Sequence, residues 1–80
     1  MDVTVERVLD GIAQCLRVER AKITTATSAA ELPAWDSLAV VELVFMLQSD
    51  YDLTLPPAQA TTLRSVEAVL AVLRAAGKLA

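Results

Sequence analysis

The sequence predicts an all-α fold, a four-helix bundle with three main helices plus one short helix. Apolar residues recur at spacings of three and four in three separate stretches, which is the period of one helix face. Residues that cap helices stand at the head of each stretch, and proline or glycine punctuates the connections and the end. A hydrophobic fraction of 55% that includes one Trp, one Tyr and one Phe makes the core aliphatic. An 80-residue chain has room for one such core, so residues 1–80 read as one domain.

The first helix is expected from about Thr4 to Val18, because Val5, Val8, Leu9, Ile12 and Leu16 share one stripe and Thr4 can cap it. Cys15 lies at the border of that stripe and is expected to pack as a small hydrophobe rather than act as a reactive thiol. Residues 20–36 lose the helical period and carry Thr24, Thr25, Thr27, Ser28 and Pro33. Such a connection exceeds the ~12–15 residues beyond which loops are either functional or locally packed. Ile23, Leu32 and Trp35 are expected to pin it to the core.

Asp36 or Ser37 then opens a second helix that continues to about Tyr51, since either side chain can accept from the unpaired amides of a first turn. Leu53 to Leu55 is extended, and Pro56 and Pro57 start a short helical turn through Ala60. Ser65 caps the last helix, where Val66, Val69, Leu70 and Leu73 repeat until Gly77 ends it.

The second helix is apolar on two sides. At about 100° per residue, Val40, Leu43, Val44, Leu47 and Tyr51 form a core stripe. Leu38, Val41 and Phe45 fall roughly opposite, beside Glu42 and Ser49. Burial on all sides is hard to arrange in so small a bundle, so this second face is expected to serve a partner.

Composition removes several classes of function. The chain has no histidine, one cysteine, and only Gly11 and Gly77 as glycines. Imidazole base catalysis, a metal cluster, a phosphate-cradling glycine loop and an intrachain disulfide therefore lack their residues, and no enzyme activity and no metal are expected. The most apolar run, Leu38 to Leu47, contains Glu42 and falls short of the ~20 residues a membrane span needs. The start of the chain lacks the uninterrupted apolar run of a signal peptide. A cytoplasmic monomer is expected. Glu31, Asp36, Glu42, Asp50 and Asp52 lie in a segment, residues 31–63, that holds no Lys or Arg. Such a surface repels nucleic acid and anionic membranes and attracts basic protein surfaces.

Trp35-Asp36-Ser37-Leu38, then Val41-Glu42-Leu43-Val44, Leu55-Pro56 and Ser65-Val66, form an ordered set that resembles the acyl carrier protein family over nearly the whole chain. Aspartate-serine-leucine alone is weak evidence and reads equally well as a helix cap. The order of apolar helix, long loop, tripeptide at a helix start, proline turn and capped final helix is what makes the resemblance specific. It implies an acyl-carrier-like bundle in which Ser37 carries 4'-phosphopantetheine, transferred from coenzyme A by a phosphopantetheinyl transferase using magnesium. It implies that Asp36 is recognised by that transferase, and that Leu38, Val41, Glu42, Phe45 and Met46 form the surface gripped by enzymes that load and process an acyl or aminoacyl thioester.

A phosphodiester at Ser37 also suits the physics of a helix start, where unpaired amides and the helix dipole favour an anion by ~0.3–1 kcal/mol. Gln48 and Ser49 stand where carriers of fatty acid synthesis usually have glutamates, which points to secondary metabolism of the polyketide or nonribosomal peptide type. The chain begins at Met1 and ends just past the last helical stretch, as a discrete protein would. The competing reading is a helical interaction module without a prosthetic group, which fits the helical period and the two-faced helix equally well.

Overall fold

The computed structural model describes residues 4–79; residues 1–3 and 80, the ends of the 1–80 domain, lie outside the described residues. Helix α1 spans Val5–Leu16, α2 Ser37–Tyr51, α3 Pro57–Ala60 and α4 Val66–Ala75, with a 3-10 turn at Arg20–Lys22. The only β pairing among the described residues is one antiparallel bridge between Ser28 and Ser65. The all-α expectation holds, with three main helices and one short one.

Each long helix begins under the side chain expected to cap it. Thr4 accepts from the Arg7 amide, Asp36 Oδ1 from the Ala39 amide at 2.9 Å, and Ser65 Oγ from the Ala68 amide at 3.1 Å. The structure thus selects Asp36 over Ser37 as the cap of α2. Gly77, at φ 71°, ends the last helix as expected, and the Lys78 amide beyond it returns to the Leu73 carbonyl at 2.8 Å.

Helix α1 stops two residues short of the expected Val18. Arg17 adopts the left-handed conformation (φ 57°, ψ 42°), and the Val18 amide bonds back to the Ala13 carbonyl at 3.1 Å. That closure is the usual helix-ending arrangement of glycine, made here by arginine, so residue type gave no warning of it. Val18 turns inward and packs, half-buried, against the core.

The core draws on all three long helices, with Val8, Ile12, Leu43, Leu47, Val66, Val69 and Leu73 each fully buried. On α2 the buried stripe is Ala39, Leu43, Leu47 and Tyr51. Val40 and Val44, expected in that stripe, are half-buried and pack against the core from its flank. Helix α1 approaches α2 closely at Gly11, where a β-carbon would lie 2.5 Å from Met46 Sδ.

The long connection between α1 and α2 is held at both ends. Near its start, the Arg20 guanidinium donates to Asp10 Oδ1 (2.7 Å), Glu6 Oε2 (2.6 Å) and the Ile23 carbonyl (2.8 Å). Ile23 is thereby pressed into the core. Farther on, the Ala29 amide donates to the Arg64 carbonyl (2.7 Å) and the Val66 amide to the Thr27 carbonyl (3.0 Å). At the far end, buried Trp35 donates its indole N–H to the Leu63 carbonyl at 2.9 Å. Trp35 and Ile23 pin the loop as expected, while Leu32 is half-buried.

Two substitutions test this packing by chemical denaturation. Leu43→Ala empties a fully buried site and is expected to cost about 2–5 kcal/mol. Trp35→Phe keeps most of the ring but strands the Leu63 carbonyl, for an expected loss of about 1–3 kcal/mol. Losses below ~0.5 kcal/mol at both would contradict the packing described here.

Candidate functional site

The site is built on the first turn of α2. Because Asp36 caps the helix with its side chain and its carbonyl accepts the Val40 amide (3.1 Å), Ser37 becomes the first helical residue. Its side chain is exposed, and its hydroxyl makes no hydrogen bond among the described residues. The amides of Ser37 and Leu38 precede the first residue that can bond within the helix, so they remain available to an outside acceptor. The helix dipole adds partial positive charge at the same place.

Two depressions lie at the start of α2, one of them lined by Ser37 itself. One, of about 180 Å³, is lined by Ser37, Val40, Ala60, Thr61 and Arg64. Thr61 spends its hydroxyl on the Ala58 carbonyl (2.8 Å), which leaves the Arg64 side chain as the charged group in that cleft. The other, of about 250 Å³, lies between the end of α1 and the start of α2, where Leu16, Arg17, Asp36, Leu38 and Glu42 are among its lining residues.

The acidic segment read from the sequence does not stand alone in space. Arg17, held by the left-handed end of α1, places Nη2 3.6 Å from Glu42 Oε1. The arginine is largely exposed, so the pair contributes roughly 0–1 kcal/mol, but it supplies a cation where residues 31–63 have none. Neither Arg17 near Glu42 nor Arg64 near Ser37 has a linear signature, because both approaches are made by chain folding.

The second face of α2 is open. Leu38 is 66% exposed, Phe45 64% and Val41 47%, the large hydrophobic residues left most uncovered among those described. Glu42 is half-buried beside them. Met46 is set apart from these three, half-buried with its sulfur over Gly11.

Cys15 is half-buried, and burial pushes its thiol pKa up, with the carboxylates of Glu42 and Asp50 pushing the same way. That is the setting of a packed cysteine, as the sequence suggested. Among the described residues no group of three or more His, Cys, Asp and Glu side chains could hold a metal ion, and no helix is long and apolar enough to cross a membrane.

The arrangement fits attachment of a phosphate-linked group. It offers a free hydroxyl in solvent, unpaired amide donors and dipole charge at the same point, and an adjacent cleft with Arg64 among its lining residues. Comparison with known proteins agrees. The family described as "Phosphopantetheine attachment site" matches residues 6–73. A protein of Bdellovibrio bacteriovorus named "Acyl carrier protein" is 33% identical over 72 residues, covering 90% of this chain and 92% of the relative.

Alkylation followed by intact mass tests the cysteine environment. The native protein is expected to react more slowly than the same protein in denaturant. Its rate should keep rising past the pH at which an ordinary thiol is fully ionised, since a raised pKa lowers the thiolate fraction at any given pH. Equal rates in both states would place Cys15 in open solvent.

Proposed function

Because this chain belongs to the phosphopantetheine-attachment family of acyl carrier proteins, we propose that Ser37 is the residue that bears its prosthetic arm. The family is non-catalytic and is the site of covalent 4'-phosphopantetheine attachment, so the chain is a carrier and not an enzyme. When bound, the group supplies a thiol at the end of a flexible arm, on which cargo is held as a thioester. The observation that supports Ser37 is its position as the exposed first residue of α2, with an uncommitted hydroxyl, inside the matched region.

The chain's own residues divide the work. Asp36 holds the helix start in place, and the unpaired amides of Ser37 and Leu38 favour the negative charge of a phosphodiester there. The second oxygen of the Asp36 carboxylate is free to face the phosphopantetheinyl transferase. Leu38, Val41 and Phe45 supply apolar anchors, and Glu42 a charge, to enzymes that load and process the cargo, while Met46, expected among them, turns its sulfur toward Gly11 of α1. Tethering keeps the thioester at high local concentration for whichever enzyme docks.

The cargo in this reading is an acyl or aminoacyl unit of secondary metabolism. Its support is Gln48 and Ser49, both exposed, which leave this stretch of α2 less acidic than in carriers of fatty acid synthesis. The protein acts as a cytoplasmic monomer.

Incubation with coenzyme A, magnesium and a broad-specificity transferase is expected to give a heavier protein by intact mass, and Ser37→Ala to abolish the change. An adduct that survives in Ser37→Ala, or maps to Ser28, Ser49 or Ser65, overturns the assignment. No adduct at all favours a plain helical interaction module.

Binding kinetics against the transferase test the docking surface. Glu42→Lys is expected mainly to slow association, less so at high salt, because partly exposed surface charges steer encounters over ~8 Å at physiological ionic strength. Leu38→Ala and Phe45→Ala are expected to speed dissociation instead, with circular dichroism unchanged. Wild-type kinetics in all three variants would remove this face from the interface.

A further inference from the structure

We propose that Arg64 holds the phosphodiester of the attached arm against the side of α2, and so sets the direction in which the arm leaves Ser37. The inference rests on the assignment of Ser37 above and extends it to a residue in a different part of the chain.

Ser37 and Arg64 line the same cleft, although they are far apart in sequence. The remaining lining offers an anion little: Val40 and Ala60 are apolar, and the Thr61 hydroxyl is committed to the Ala58 carbonyl. From Ile23 to Leu63 the chain has no Lys or Arg, so Arg64 is the first cation after the acidic segment. Of the two arginines beside the start of α2, Arg17 lies in the other depression and pairs with Glu42, whereas Arg64 makes no salt bridge among the described residues.

The backbone under Arg64 is also fixed. Its carbonyl accepts the Ala29 amide at 2.7 Å and its amide donates to the Thr62 carbonyl at 2.8 Å. The preceding carbonyl, of Leu63, accepts the Trp35 indole, and Trp35 sits two residues before Ser37. One hydrogen-bonded unit therefore carries both the attachment point and the backbone from which the Arg64 side chain extends. A phosphodiester on Ser37 brings a negative charge beside the Asp36 carboxylate, and a guanidinium reaching it from the cleft that Ser37 and Arg64 line offsets that repulsion. Charge pulls the linkage toward the cleft holding Arg64 and away from the one holding Asp36 and Glu42.

The test uses the loaded protein, with the adduct at Ser37 first established by intact mass. Phosphorus-31 NMR then reads the linkage directly, and nitrogen-15 NMR reads the Arg64 Nε–H. Loading wild-type protein is expected to shift the Arg64 Nε–H resonance. In Arg64→Gln the phosphorus resonance is expected to move and narrow as the linkage gains mobility, with Arg64→Lys intermediate. High salt is expected to move the wild-type phosphorus resonance toward that of Arg64→Gln, which gives a readout independent of any effect of substitution on folding. Identical phosphorus resonances in wild-type and Arg64→Gln protein, with no response of the Arg64 Nε–H to loading, overturn the role of Arg64 and leave the Ser37 assignment standing. Absence of any adduct at Ser37 defeats both.

Discussion

The hydrogen bond from the Trp35 indole to the Leu63 carbonyl governs how the rest of the molecule is arranged. It joins the residue just before the cap of α2 to the residue just before the turn into α4, and it is buried, so it cannot be exchanged for water without cost. A loop as long as the one between α1 and α2 has many ways to reach the same endpoints, and each degree of freedom raises the entropy of leaving them unformed. Trp35 cancels much of that freedom at one point. The Ser28–Ser65 bridge and the Arg20 clamp restrict the remainder, so the helix that bears Ser37 begins at a fixed place.

Helix α2 then has to satisfy two demands. Its inner stripe of Ala39, Leu43, Leu47 and Tyr51 closes the core, while its outer side leaves Leu38, Val41 and Phe45 in water. Exposing those residues gives up hydrophobic stabilisation of roughly 25 cal/mol for each Å² left uncovered, an expense a purely structural helix would avoid. The charges around this helix are mixed. Arg17 from α1 and Arg64 from the segment before α4 stand on either side of a stretch that is acidic in sequence, so its surface is patterned rather than uniformly negative.

What could be read from the residues alone was what depends on local periodicity and local chemistry. The caps at Thr4 and Ser65, the proline turn and the glycine stop each follow from a side chain acting within a few residues of itself. The α2 cap, by contrast, stayed open between Asp36 and Ser37, and the inner stripe of that helix took in Val40 and Val44, which the fold leaves half-buried. The family resemblance drew on the same positions, and the match over residues 6–73 bears it out. The early end of α1 was not legible, because arginine rarely takes the left-handed conformation seen at Arg17. The 3-10 turn at Arg20–Lys22 was missed for a different reason: it is fixed by ion pairs with Glu6 and Asp10 across a gap that no periodicity analysis connects. The two arginines near Ser37 and Glu42 share that origin. Contacts made by folding leave no trace in spacing.

The closeness of Gly11 to Met46 means that α1 and α2 meet by different chemistry at different points along α2. Where α2 begins, hydrogen bonds of fixed direction hold it, and a small displacement would break them. Farther along, α2 rests on α1 through a thioether, which has several rotatable bonds and a polarizable sulfur that adapts to its surroundings. A side chain at position 11 would have to displace that thioether, so the glycine sets how near the two helices can lie beside the fully buried Leu43 and Leu47.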